Sequence, residues 1–388
     1  MTADTELRPT AESVRRFDRR LVVGCLAATA AAAVTRYVPT GSVVPFLVSA
    51  VALALLAQLV GRAVDALGDR LGPGAIGVLQ SALGNLPELF VCLFALHAGL
   101  YDVVRGAVVG SILANVLLVL GLAFLVGGLR HGRQYFASQR ARSITLMLML
   151  SVTAMAIPSL TAAMHTPAEG HERGLSVVTS VLLLVLFGLS LPASVTDADA
   201  GPPPDAGPPP DAGGDRPGGE PREPDPPEEP DPPEERAWSM RTAIVALAAA
   251  GLLAAAVSDW FVNALEPAMA AAHISQAFAG LVIVAIAGNA VENVVGIQLA
   301  ARNQADHALS VILQSPVQIA LVLAPVLVLV APLVGATFTL VLAPLLIVAL
   351  FVAALIAVLV VVDGESTWLE GATLVVLYVL IAAAFWWG

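Results

Sequence analysis

Apolar residues in this chain gather in long runs, without the alternation of surface strands or the one-sided stripe of surface helices. Eleven stretches are mostly apolar: 21–38, 44–66, 74–98, 103–128, 142–164, 174–195, 241–264, 275–300, 307–333, 338–362 and 367–387. A helix needs roughly 20 such residues to cross a bilayer. The pattern therefore predicts an all-α integral membrane protein with 11 transmembrane helices. The first run follows Arg15, Arg16, Arg19 and Arg20, as the core of a signal peptide would. Ten further runs follow, with no clear small-residue cleavage site, so an uncleaved first helix is expected.

Polar residues sit mainly between the runs, and arginine gives them a direction. The amino-terminal tail, 1–20, carries Arg8, Arg15, Arg16, Arg19 and Arg20, and the fourth loop carries Arg130, Arg133, Arg140 and Arg142. Loops rich in arginine stay in the cytoplasm. With the amino terminus inside, only Arg36, Arg105 and Arg173 of the 19 basic residues fall outside. The carboxyl terminus then also falls outside. Trp368, Trp386 and Trp387 read as an interfacial aromatic belt.

Composition sharpens this reading. The chain has 388 residues, 57% hydrophobic and 13% charged. All 19 bases are arginine, so every lysine-dependent chemistry is excluded: a P-loop, a Schiff base, a lysine nucleophile. Cys25 and Cys92 lie in apolar runs and make neither a disulfide framework nor a zinc spacing. The formal net charge of −11 has one source. Residues 197–235 hold 13 acids, 14 prolines and only two arginines, in PPPDAG and EPDPPEE repeats. Such a segment cannot form regular structure and buries almost nothing, so an extended or disordered linker over 197–236 is expected. The rest of the chain is formally neutral.

Two motifs stand inside the apolar runs. Gly84-Asn85-Leu86-Pro87-Glu88 and Gly288-Asn289-Ala290-Val291-Glu292 share the pattern G-N-x-x-E. In each case a serine follows the glutamate by 23 residues, Ser111 and Ser315, and a side-chain amide lies one turn further on, Asn115 and Gln318. Five runs contain each copy. An odd number of crossings makes the second unit enter the membrane from the opposite face. The organisation expected is an extra helix at 21–38 and two inverted five-helix repeats, 39–196 and 237–388, an architecture typical of secondary transporters with a midplane site.

A carboxylate inside an apolar span is costly, so it must be protonated or matched by a cation. Gly84, Pro87 and Gly288 favour helices that break at the motifs, and broken helices free carbonyls to line a cavity or hold an ion. The candidate ligands are Glu88, Glu292, Asn85, Asn289, Ser111, Asn115, Ser315 and Gln318. The set is oxygen-only, which suits a hard cation such as Ca2+ and argues against zinc or copper. Two carboxylates balance one divalent charge or hold protons, and that exclusion is a physical basis for exchange.

These residues resemble a known family. GNLPEL with the following GSILANVLLVLGLAFLVGGL, and GNAVEN with the following QSPVQIAL, look like the two alpha repeats of the calcium:cation antiporters, closest to the cation/proton exchanger branch. The resemblance implies a ten-helix core of two inverted repeats plus one extra helix. It implies Ca2+ as transported substrate, exported from the cytoplasm against entering protons, with no cofactor. It places ligands and proton carriers at Glu88 and Glu292, and it likens Asp65 and Asp259 to acidic positions along the family's access paths. An acidic stretch between the halves is also a family feature. Departures are Leu86-Pro87 where proton exchangers usually show Ala-Thr, Asn293 where many show histidine, and Gln314 and Pro316 beside Ser315. Pro-Glu is a feature of the sodium/calcium relatives, so Na+-coupled or monovalent-cation exchange stands as the alternative, and a channel after it.

No nucleotide, haem or nucleic-acid motif is visible, and the paired aspartates, serine–base pair or zinc triad of an intramembrane protease are missing, so an enzyme is not expected. His97, His131, His165, His171, His273 and His307 lie near span ends and read as interfacial packing. The arginine- and alanine-rich composition suggests a bacterial plasma membrane. Oligomeric state has no signature here.

Overall fold

A computed structural model of the protein describes residues 11–38, 40–71, 79–80, 83–199 and 238–386. In chain order the helices are α1 (Ala11–Tyr37), α2 (Val43–Leu71), α3 (Leu86–His97), α4 (Tyr101–His131), α5 (Ser138–Ala163) and α6 (Glu172–Asp199). They continue with α7 (Met240–Ala272), α8 (Gln276–Gly288), α9 (Ala290–Ala300), α10 (Ala305–Val334), α11 (Pro344–Val361) and α12 (Trp368–Phe385). Eight of them are long and apolar enough to cross a membrane: α2, α4, α5, α6, α7, α10, α11 and α12. The bent pair α8–α9 makes a ninth when counted as one span.

The two remaining predicted runs are helical where described but fall short of that test. The third, 74–98, holds α3, only 12 residues long, and residues 72–78 and 81–82 lie outside the described set. The first, 21–38, lies in α1, which is alanine-rich and carries arginine near both ends. That helix also begins ten residues earlier than the apolar run, at Ala11, so half of the expected tail is helical. On its polar part Asp18 is buried against α2. The expected linker differs at its start too. Helix α6 continues to Asp199, because no proline interrupts the chain between Pro192 and Pro202. The extended or disordered state expected for the remainder, through residue 236, lies outside the described residues.

The most buried helices are α4 and α10. In their most apolar stretches 83% and 61% of residues are buried, against 44% or less in the other six. Apolar side chains predominate on all sides of both helices, and the polar ones near their middles, Ser111, Asn115, Ser315 and Gln318, are themselves buried. Each contains a π-helical turn near its middle, Ala114–Val119 in α4 and Ile319–Leu323 in α10. A third lies in α8, Ala279–Val284. Glycine lets α4 and α8 cross at backbone contact: a Cβ on Gly106 would meet the Ala277 carbonyl, and one on Gly110 or Gly280 would collide with the backbone of the opposite helix. The most extensive helix pair is α2 with α7, and α1 lies along α2.

The turns are tied to one another in two groups. In one, β1 (Gln134–Tyr135) pairs antiparallel with β2 (Glu365–Ser366), Gln134 Nε2 donates to the Ala300 carbonyl at 3.0 Å, and the Ala137 amide donates to Asp306 Oδ1 at 2.6 Å. In the other, Ser159 Oγ donates to the Leu340 carbonyl at 2.7 Å, and the Leu340 amide donates to Ser176 Oγ at 3.1 Å. With the Leu342 amide, which donates to Ser159 Oγ at 2.9 Å, these last bonds serve non-helical backbone around Leu340.

The glycine crossing gives a direct check. Gly110→Leu forces α4 and α8 apart, and overpacking of this kind costs about 1–3 kcal/mol or more. The detergent-solubilised variant should unfold at a clearly lower temperature than the parent. Gly188→Leu, on an exposed face of α6 with no atom near its added Cβ, should not.

Candidate functional site

Both G-N-x-x-E motifs sit where a helix begins again after a break. Asn85 has φ −93° and ψ 16°, and Asn289 has φ −96° and ψ 17°. The two asparagines thus share one backbone conformation, in the sparsely populated bridge region between helix and strand. Glu88 is the third residue of α3, and Glu292 is the third residue of α9. Pro87 occupies the second position of α3, where a missing amide proton costs nothing. At Asn289 the chain turns by 65° between α8 and the body of α9. A carboxylate in the first turn also faces the positive end of the helix dipole.

The described side chains from the two halves form one hydrogen-bonded group. Asn289 Nδ2 lies 2.6 Å from Glu88 Oε1, 3.0 Å from Ser111 Oγ and 3.0 Å from the Ala285 carbonyl, so its two protons are shared among three acceptors. Ser111 Oγ also donates to Glu88 Oε1, at 3.2 Å. Ser315 Oγ donates to Asn289 Oδ1 at 3.1 Å. Asn115 Nδ2 donates to the Ser111 carbonyl at 2.9 Å and to Ser315 Oγ at 3.3 Å. Glu88, Ser111, Asn115, Asn289 and Ser315 are all buried, none more than 6% exposed.

Local structure explains the convergence. Ser111 and Ser315 lie in the last α-helical turn of α4 and α10, before π turns that begin at Ala114 and Ile319. A π turn widens the helix and redirects the side chains on it. Asn115 stands on the first of these turns, and its Oδ1, though fully buried, has no hydrogen-bond partner among the described residues. Gly288 brings α8 against the carboxylate: a Cβ there would lie 2.6 Å from Glu88 Oε1. Glu88 also borders a small cavity with Leu53, Phe261 and Val284.

Other expected residues stand apart from this group. Asn85 and Gln318 are buried, yet no hydrogen bond among those described links either to it, and Asn85 Nδ2 has no partner among the described residues. Gly84 donates its amide to the Gln80 carbonyl at 2.8 Å and marks the break before α3. Asp65 is exposed on α2, and Asp259 is half-buried on α7, where its Oδ1 accepts from Asn263 Nδ2 at 3.0 Å. The backbone of Glu292 is placed by α9, but its side chain lies outside those described. Asn293 was not expected at the site. It is buried one turn beyond Asn289, with Oδ1 unpartnered among the described residues, and the N-x-x-x-N spacing was its only signal in the sequence.

The described oxygens, one carboxylate with amides and hydroxyls, are the kind that hold hard cations. No cluster of three or more His, Cys, Asp or Glu side chains exists among the described residues, so a thiol- or imidazole-rich metal centre has no counterpart there.

Comparison with known proteins agrees with this chemistry. The family model described as sodium/calcium exchanger protein matches residues 41–195 and 242–387. The chain is 33% identical to the Ca2+/H+ antiporter of Aphanothece halophytica over 343 residues, covering 88% of this chain and 89% of that one. It is 33% identical to the Ca2+/H+ antiporter ChaA of Bacillus subtilis (strain 168) over 345 residues, covering 89% and 92%. The solved structure of native YfkE superposes with a TM-score of 0.75 at 29% identity, covering 94% of this chain and 99% of YfkE. The H+/Ca2+ exchanger CAX shares the fold, with a TM-score of 0.69 at 15% identity, covering 95% and 92%. Broken helices, a buried oxygen cluster and a match along nearly the whole chain converge: this is a transmembrane protein of the sodium/calcium exchanger family.

Proposed function

We propose that the protein is a secondary active antiporter that exports Ca2+ from the cytoplasm in exchange for protons. Glu88 and Glu292 bind Ca2+ or protons in turn at a site near the bilayer midplane. The observation that carries this reading is the buried group in which Glu88, Ser111 and Asn115 of one half meet Asn289 and Ser315 of the other. Relatives named Ca2+/H+ antiporters, 33% identical over most of their length, support the pair of ions.

The architecture proposed is an extra helix at 21–38 and inverted repeats at 39–196 and 237–388, giving 11 crossings. The two stretches that the family model matches support this division, as do the twin breaks at Asn85 and Asn289. The hydrogen bonds between turns support the alternation. Residues 134–137, 300–306 and 364–366 join one another and fall on one face in this scheme. Residues 97 with 334, 159 and 176 with 340, and 275 with 385 and 386 fall on the other. Arginine placement assigns the first face to the cytoplasm.

Exchange follows from competition for oxygen. Protons on the glutamates remove the charge that attracts Ca2+, and Ca2+ draws the same oxygens away from protons. Asn289 Nδ2 and Ser111 Oγ donate to Glu88 Oε1 and keep a bare carboxylate tolerable inside the bundle. Asparagine and glutamine side chains turned to present their carbonyl oxygens, with the serine hydroxyls, complete a shell of the kind Ca2+ takes. A sodium-coupled exchange is the second reading, favoured by the Pro87-Glu88 pair.

Everted vesicles loaded with acid inside should take up Ca2+ in the absence of sodium, and the half-saturating Ca2+ concentration should rise as the external pH falls. Uptake that needs sodium would select the second reading. Glu88→Gln and Glu292→Gln should each reduce uptake to background at unchanged expression; transport retained in either would remove that carboxylate from the mechanism. Gly288→Ala crowds the Glu88 carboxyl, and an overpacking cost of about 1–3 kcal/mol would weaken apparent Ca2+ affinity about 5- to 150-fold.

A further inference from the structure

Two cavities lie end to end along the seam between α2 and α7. The larger is a cleft at the end of the molecule where α1 finishes and α2 begins. It is bounded by Thr35 and Arg36 of α1, Ser49 of α2, and Trp260, Asn263 and Pro267 of α7. The smaller is the cavity beside Glu88, which includes Leu53 of α2 and Phe261 of α7. Ser49 and Leu53 are successive turns on one face of α2, so the two cavities are about one helical turn apart.

An aromatic pair stands where the two linings meet on α7, between Trp260 and Ala264 of the cleft. Phe261 is 1% exposed and packs on Phe46, 6% exposed, with ring centroids 5.0 Å apart. The ring lines the Glu88 cavity on one side, and its neighbours in the helix, Trp260 and Ala264, line the cleft on the other. The cleft has a polar lining where the partition has none. Ser49 is buried there, and Asn263 donates to the Asp259 carboxylate. Arg36 is the one cationic side chain in the lining; it is exposed to solvent and so its repulsion is screened.

We propose that Phe261, held by Phe46, is the gate between this cleft and the Glu88 cavity, and that the cleft is the cation's approach from the face where α1 ends. The inference rests on the transport reading for its purpose, but not for its geometry. An ion cannot pass an apolar partition with its hydration shell, so the ring must move for the site to open to this face. Phe46 is a positioning residue: it fixes the closed position of the Phe261 ring.

Accessibility to a membrane-impermeant thiol reagent tests the gate without measuring flux. In full-length protein carrying Cys25→Ala and Cys92→Ala, Ser49→Cys and Leu53→Cys are introduced separately and labelled in vesicles from each face. Ser49→Cys should react from one face only, with Phe261 present or replaced. Leu53→Cys should be protected while Phe261 is present, and Phe261→Ala should speed its labelling from the Ser49 face by about tenfold or more. Phe261→Leu should restore protection, and Phe46→Ala should loosen it where Phe261→Ala does not yield folded protein. Equal labelling of Leu53→Cys with and without Phe261 would overturn the gate. Labelling of Ser49→Cys and Leu53→Cys from opposite faces would overturn the shared path. A protein that moves no Ca2+ can still pass or fail this test, so failure of the transport reading remains distinguishable.

Discussion

The structure depends on one constraint: a carboxylate, Glu88, is held inside an apolar bundle. Such a group cannot be left to itself there. The chain answers with donors from both halves, Ser111 from its own and Asn289 from the other, at 3.2 and 2.6 Å. The bond across the halves does two things. It meets the carboxylate's need for donors, and it makes the site a product of the interface between the units. Neither half supplies the described group alone.

That interface needs the backbone to come unusually close. Gly288 leaves room for the Glu88 side chain, and Gly106, Gly110 and Gly280 let α4 and α8 touch backbone to backbone. The π turns in α4 and α10 begin within one turn of Ser111 and Ser315. Glycine and π turns are both local costs to helix stability, and both are concentrated where polar side chains must converge. The same logic places the two asparagines in matching bridge-region conformations at the starts of α3 and α9. A conformation that a helix interior forbids is the means by which a first-turn glutamate, Glu88, is set inside the bundle.

Much of this was legible in the sequence. The apolar runs marked the long helices because a helix that is apolar on every side for the thickness of a bilayer is stable chiefly in lipid or in the centre of a bundle. The paired G-N-x-x-E motifs marked Glu88 and Asn289, since polar groups in apolar runs stand out, and equal spacing to Ser111 and Ser315 tied them together. Other features had no such signal. The early start of α1 was hidden because its first turns are charged; what ties that end down is the buried Asp18, which accepts from Arg62 and from Trp238 Nε1. The π turns leave no mark in composition. Asn293 read as a departure from a family pattern, and only burial brings it toward the site. The packing of Phe46 on Phe261 could not be foreseen, because phenylalanine in a membrane helix is ordinary.

The central claim of the proposal is that Ca2+ and protons compete for the same carboxylates, Glu88 and Glu292. The most direct measurement is calorimetry of Ca2+ binding to the purified protein in buffers of different ionisation enthalpy, which counts protons released per ion bound. Competition predicts a release of up to about two protons at a pH where the free site is protonated, shrinking as the pH rises, and reduced by Glu88→Gln. Ca2+ binding of unchanged stoichiometry with no proton released at any pH would contradict the account.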